Sequence, residues 1–557
     1  MKKKLAAILS LLTIAMILLT GFVKMPKAEA EVTESEVYSE NGYSYIVLKD
    51  GTAEIVGYDG SLTDEIIIPD TLGGKNVTSI GDGAFKKRIK VTIIIPDSVV
   101  SLKGNPFHNE DGENVHQPFV QVSDSHPTLK VVDGVLFDTK ENRLVSYPSR
   151  LKGSQYDIPE GTKIIGDYAF GDAEIESLYI PDSVTTIGNF AFAKCDLDSI
   201  FIPDGVTNIG NNPFLSFDDT DCIQFTASHP TLTVKDGVLF DKNEKRLIWH
   251  PKELDNTTYT VPEGTKIIGG GAFENCYPSL ENLILPDSII NIGDRAFRRC
   301  NFSTIIIPEK VETIGNCAFA YCSKLESVTI PDSVTYLGAG AFDNCESLTS
   351  VAINGNVKSI EERAFAYCYN LETVNIPDGV TSIGNSAFYF CNSLKSITIP
   401  DSVTSIGYSA FTYCVSLKSI TIPDSVTSIG RGAFSGCESL ESITIPDSVT
   451  SIGDYAFQSC ESLESLTIPD SVTSIGDDTF RNCESLESIT IPDSVTSIGD
   501  EAFSWCSSLE SLTIPKSVTS IGNGAFSYCS DLTLSVHPGS YAEQYAIENE
   551  LSYQVIQ

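Results

Sequence analysis

The chain has 557 residues, 74 acidic against 37 basic, for a formal net charge of −37. So acidic a field repels phosphate backbones and anionic headgroups, which excludes nucleic acid and a bare membrane surface as partners and leaves cationic proteins, divalent cations or neutral glycans. Length gives no domain count here, because the second half repeats a block of about 23 residues almost letter for letter, and a stacked array lengthens its core with every copy.

The first thirty residues predict an export leader. Lys2, Lys3 and Lys4 precede an apolar run over residues 5–23, and Ala28-Glu29-Ala30 supplies the small-x-small cleavage pattern. The mature chain is expected to start near Glu31, and removing a leader with five Lys and one Glu leaves a charge of about −41. No second stretch is apolar for long enough to span a bilayer, so no membrane insertion is expected after cleavage. Residues 31–58 read as an N-terminal cap, with a hairpin around Asp50-Gly51.

The repeats occupy residues 59–534. In Leu417-Lys-Ser-Ile-Thr-Ile-Pro-Asp-Ser, Ile420 and Ile422 fall on one face of a short strand and Ser419 and Thr421 on the other. Pro423 ends the ladder for want of an amide proton. Asp424-Ser425 turns the chain, residues 426–429 form a second extended piece, and Gly430 permits a bend that a Cβ would obstruct. Ala433, Phe434 and Cys437 then lie in a helical or 3-10 turn. The inward set is Leu417, Ile420, Ile422, Val426, Ile429, Ala433, Phe434 and Cys437. Counted by Ile-Pro or its equivalent, from Pro69 to Pro515 with Asn354 in place of one proline, there are seventeen coils.

Two stretches, near 117–157 and 222–260, break the rhythm. Asp133-Gly-Val-Leu-Phe-Asp138 returns as Asp236-Gly-Val-Leu-Phe-Asp241, so a larger unit is duplicated. Its alternating pattern around Asp-Gly predicts a hairpin-like insert within an enlarged coil. Residues 535–557 read as a C-terminal cap, with helical spacing from Tyr541 and a last strand near Tyr553.

Ten of the 15 cysteines, among them Cys391, Cys414, Cys437 and Cys460, stand at one place in successive copies. Identically oriented, stacked side chains suit a file of buried thiols better than disulfides or a zinc site.

The frame Leu-x-x-Ile-x-Ile-Pro-x-x-Val-x-x-Ile-Gly-x-x-Ala-Phe-x-x-Cys resembles the BspA-type leucine-rich repeat of secreted and surface bacterial proteins, over nearly the whole mature chain. The fold expected is a repeat solenoid, a leucine-rich-repeat rod or arc. Each coil contributes one short β-strand to a parallel sheet, with short helical or 3-10 turns on the opposite face. The resemblance implies an exported protein that binds other proteins or adheres to host or matrix components.

No His-Glu-x-x-His, Gly-x-Ser-x-Gly, phosphate-binding loop or dinucleotide fingerprint occurs, and a uniform file of carboxylates lacks the two distinct environments that a glycosidase needs. The reading is non-catalytic, with no cofactor and no metal site. The file Asp401, Asp424, Asp447, Asp470 and Asp493 is read as turn residues accepting backbone amides, with weak calcium binding as the alternative. Two faces are candidates for binding. The residue before each Cys is often aromatic, at Tyr321, Tyr367, Phe390, Tyr413, Trp505 and Tyr528, and these form the candidate ligand face. The alternative is the strand face, a hydroxyl carpet of Ser396, Thr398, Ser419, Thr421, Ser442, Thr444, Ser465 and Thr467. The expected partner is an extracellular protein or glycan, met by a monomeric rod that is secreted or loosely associated with the cell surface. Two other roles remain: a structural rod that coats the surface by self-association, and a carbohydrate-binding solenoid resting on the aromatic stripe.

Overall fold

The computed structural model describes residues 36–60, 63–86, 91–108, 116–215, 217, 222–251, 257–276 and 280–556. The leader and its cleavage site lie outside the described residues.

The coil around Ile420 shows why the repeat folds as it does. Ser419–Thr421 is a three-residue strand whose middle residue alone is buried. It pairs in parallel and in register with Ser396–Thr398 on one side and Ser442–Thr444 on the other, so Ile397, Ile420 and Ile443 stack inward. After Pro423, the Val426 amide donates back to the Pro423 carbonyl at 3.0 Å and closes the turn. Ser425 Oγ donates to the Val403 carbonyl of the preceding coil at 2.6 Å, while Asp424 is exposed. The polar bond at this turn therefore comes from the serine, not from the aspartate to which the sequence assigned it.

A second strand, Ser428–Ile429, pairs in parallel with Ser405–Ile406 and Ser451–Ile452. Gly430 follows, and a Cβ there would lie 2.5 Å from the backbone carbon of Gly407, so glycine is required by the approach of the preceding coil's backbone. The remaining third of the coil is a run of turns. The amides of Ala410, Thr412 and Cys414 donate to carbonyls three residues back, as in a 3-10 turn, while those of Ser409, Phe411 and Tyr413 donate at 2.8 Å to Arg431, Ala433 and Ser435 of the next coil. A positive φ at Ser409 (51°) and Tyr413 (59°) keeps these turns from joining into a helix. Among the described residues the single α-helix is Tyr541–Glu548.

Three ladders thus enclose a core made of files. The rings of Phe388, Phe411, Phe434 and Phe457 are fully buried and nearly parallel, with centroids 5.3, 5.4 and 5.6 Å apart. Beside them Cys437 is a free thiol donating to the Phe411 carbonyl at 3.3 Å, and Cys391, Cys414 and Cys460 repeat the contact. Burial pushes the Cys437 thiol up to about 12.

Apart from Ser350–Ile353, whose proline is replaced by Asn354, four strands in the first row carry no Ile-Pro: Phe119–Gln121, Ile223–Gln224, Thr533–Val536 and Ser552–Val555. Each pairs in parallel with a neighbour in that row. The proline count passes over them, and the solenoid winds about 21 turns rather than seventeen.

At the N-terminus Tyr38–Glu40, Tyr43–Val47 and Ala53–Tyr58 form an antiparallel meander whose last strand joins Lys75–Ile80 in parallel. The same design recurs twice. Leu129–Val132, Val135–Asp138 and Arg143–Ser146 lead into Ile164–Ile165, and Leu232–Lys235, Val238–Asp241 and Arg246–Trp249 lead into Ile267–Ile268. Both inner turns are Asp-Gly with positive φ at each residue, 49° and 85° at 133–134 and 50° and 75° at 236–237, as a two-residue hairpin requires. Each meander opens a new stretch of core, so the apolar interior falls into three large clusters.

Candidate functional site

The six aromatic residues that precede cysteines share an uncommon backbone state. Tyr321, Tyr367, Phe390, Tyr413, Trp505 and Tyr528 have φ between 56° and 64°, in the left-handed region. For a side chain of this kind that region costs about 1–2 kcal/mol. The point is left-handed in other coils as well, at Asn344, Gly436 and Asn482, which tolerate it, and at Arg299 and Ser459, which do so less readily.

Their side chains fall into three groups. Tyr367, Phe390 and Tyr413 stack, with centroids 5.5 and 4.5 Å apart. Trp505 and Tyr528 stack at 4.2 Å and are 45% and 68% exposed. Tyr321 stands apart, its ring covered by the guanidiniums of Arg298 and Arg299 at 5.2 and 5.3 Å. None of these rings belongs to the core, which the Phe434 file already fills.

The structure extends the stripe with residues that the motif before cysteine does not single out. Tyr389 packs edge-on against Tyr367 at 5.3 Å and against Phe390 at 4.7 Å. Next to them a hollow of about 430 Å³ opens on the turn face. It lies along a second left-handed file, two residues after the bend: Arg363, Ser386, Ser409, Gly432 and Tyr455. Three small residues between two large ones make the depression. That signal is present in the sequence, but only when this one position is compared across five coils. Arg363 is held by Asp343 at 2.9 Å and lies over the Tyr367 ring at 5.3 Å. Arg431 lies over the Tyr455 ring at 4.8 Å.

On the strand face Ser396, Ser419, Ser442 and Ser465 lie in register and exposed, as do Thr398, Thr421 and Thr444, with Thr467 exposed at the same place in the next strand. They form two files of hydroxyls one strand wide. The carpet does not run the length of the chain: the outward position holds Ile67, Tyr179, Phe201, Ile284 and Ile306 nearer the N-terminus, the last 85% exposed. Among the described residues no three of His, Cys, Asp and Glu converge as metal ligands would, and no helix is long and apolar enough to cross a membrane.

Among solved structures, the chain is similar to a leucine-rich repeat protein from Bacteroides ovatus, at 25% identity over 93% of this chain and 100% of that one, with a TM-score of 0.38. It is similar to a leucine rich cell surface protein from Faecalibacterium prausnitzii at 27% identity, over 82% and 94% of the two chains, with a TM-score of 0.32. The pneumococcal vaccine antigen PcpA matches at 21% identity, over 67% of this chain and 93% of that one, with a TM-score of 0.35. No curated protein matches the chain. Residues 58–119, 149–241, 252–372, 358–487 and 450–550 match the BspA type leucine rich repeat region, in six copies. These spans cover well over half of the sequence and follow the coils just described, and the chain belongs to the BspA type leucine rich repeat family.

Proposed function

We propose that this protein is an exported, non-catalytic binding protein that holds an extracellular protein or matrix component against its turn face. Export rests on the basic, apolar and small-residue pattern of residues 1–30. The observation that carries the choice of face is the left-handed backbone under Tyr367, Phe390 and Tyr413. Asparagine or glycine would sit on that backbone with less strain, as at Asn344 and Gly436, yet three consecutive coils carry large rings there, stacked outside the core, and strained positions gather where a ligand is held. Aromatic side chains also supply the area and rigidity that anchor an interface, whereas the serine and threonine files offer the same low-specificity contact in every coil.

The test is a pull-down of the mature rod against extracellular-matrix proteins, followed by affinity measurement on two variants. Replacing Tyr367, Phe390 and Tyr413 together by Ser should weaken binding by more than about 1 kcal/mol. Replacing Thr398, Thr421 and Thr444 by Ser should leave it nearly unchanged. The opposite ranking, with circular dichroism unaltered in both, moves the site to the strand face.

A further inference from the structure

The hollow beside the aromatic stripe has a composition of its own. Its floor is Ser386, Ser409 and Gly432, at one position of three consecutive coils, a span of about 10 Å from first to last at the usual strand spacing. A Cβ on Gly432 would meet Ser409 Oγ at 3.4 Å, an ordinary contact, so a longer side chain fits there and would take up space that the glycine leaves empty. Tyrosines 389, 408 and 455 stand around it. Floor amides are not available for strand addition, because Ser409 N–H already donates to the Arg431 carbonyl and Gly432 N–H to that of Asp454, both at 2.8 Å.

Charge singles the place out. In a chain of net charge −37 two guanidiniums border one small depression. Asp343 neutralises Arg363, but no carboxylate among the described residues forms an ion pair with Arg431, which is exposed and steadied by the Tyr455 ring. A planar guanidinium held in this way is suited to accept a carboxylate through two parallel hydrogen bonds. Hydroxyls on the floor and ring faces on the walls suit a ligand that is polyhydroxylated on its edges and apolar on its faces. A polyanion, or an acidic peptide running out of the hollow, would meet the acidic surface beyond it; a ligand with one charge per ring would not.

We infer that the hollow bounded by Arg363, Tyr408, Arg431 and Tyr455 is a binding site for an acidic saccharide, with the sugar carboxylate on Arg431. This rests on the turn face being the binding face. The experiment is calorimetric titration of the mature protein with short oligosaccharides of glucuronic or galacturonic acid, beside their neutral glucose and galactose counterparts. The acidic sugars should bind at least about ten-fold more tightly than the neutral ones. Arg431→Gln should abolish that preference, and Gly432→Asn, which fills the floor with a residue tolerant of positive φ, should abolish binding of both. Acidic sugars that bind no better than neutral ones overturn the inference, as does a preference that survives both substitutions in variants with unchanged circular dichroism. A protein partner lost in the Tyr367, Phe390 and Tyr413 variant, with no saccharide bound by the parent, removes this inference and leaves the proposed function standing.

Discussion

The file of buried thiols should make the solenoid sensitive to alkali, by an amount that can be counted per coil. Burial holds Cys276, Cys322, Cys437 and Cys483 at about 12, and desolvation also raises Cys391, Cys414 and Cys460 well above the ordinary thiol value. An unfolded cysteine ionises near 8.5, so the neutral thiol is favoured by folding. The stability this linkage contributes is fully present below about pH 8.5 and is lost as pH rises toward the folded value. At pH 10 a thiol held at about 12, as Cys437 is, withdraws about 2 kcal/mol, and its neighbours in the file act in the same direction.

A variant with Cys391, Cys414, Cys437 and Cys460 all changed to Ala is compared with the parent by urea denaturation at pH 8 and pH 10. The substitutions lower stability at both values through lost packing, but the parent should fall further than the variant between them, by at least the roughly 2 kcal/mol that Cys437 alone contributes. Tyrosine ionisation is common to both and cancels. Equal pH dependence in the two proteins would show that these thiols are not held neutral by burial, as would mass analysis showing the cysteines bridged. The far end of the file behaves differently: Cys529 is half-buried and held below the usual thiol range by a hydrogen bond with Cys506, so alkylation of the native protein should label it before the buried members.

Phe434→Ala removes a ring stacked at 5.4 and 5.6 Å on its two neighbours and should destabilise the surrounding coils by about 3–5 kcal/mol, read by denaturation. Gly430→Ala should lower stability by about 1–3 kcal/mol, because the clash is with backbone that cannot rotate away; a neutral effect would show that the coils slide apart freely. Deleting residues 535–557 removes Tyr545, whose hydroxyl donates to the Gly522 carbonyl at 3.1 Å and whose ring covers Phe526 at 6.1 Å. The truncated rod should self-associate in sedimentation experiments through its bared end; one that stayed monomeric and as stable as the parent would remove the capping argument.

Much of the coil was legible because its rules are local. Alternation puts Ile420 inside and Ser419 outside, and proline and glycine punctuate the turns. What escaped depends on contacts from coil to coil. The residue after the bend glycine is one case: Asn385 Oδ1 accepts the Tyr408 amide at 3.0 Å, and Asp477 Oδ1 accepts the Asp500 amide at 2.8 Å, so this side chain tethers its coil to the next. A single copy reads there as a surface Asn or Asp. Left-handed backbone under aromatic residues was equally hidden, because propensity disfavours it and only the inter-coil bonds on either side impose it. The hollow at Gly432 escaped for a related reason, since it is made by side chains that are small.

The same dependence on neighbours explains how the chain restarts its own solenoid. Inside the array the amide of nearly every bend glycine takes a carbonyl from the second strand of the coil before it, as Gly430 takes that of Ile406 at 3.0 Å. Where a meander intervenes no such glycine is in place, and a buried carbonyl without a donor costs about 1–3 kcal/mol. The meanders supply an arginine instead. Arg143 donates to the Leu102 carbonyl at 2.8 Å and to that of Gly104 at 2.6 Å, and Arg246 donates to the Ile209 carbonyl and, at 3.2 Å, to that of Gly210. Glu141 and Glu244, each 2.8 Å from the arginine Nε, balance the buried charge. One side chain therefore ends the old sheet while its own strand begins the next. Lysine would serve less well, because its donors share one nitrogen, whereas the guanidinium reaches two carbonyls and a glutamate from separate nitrogens along a rigid plane.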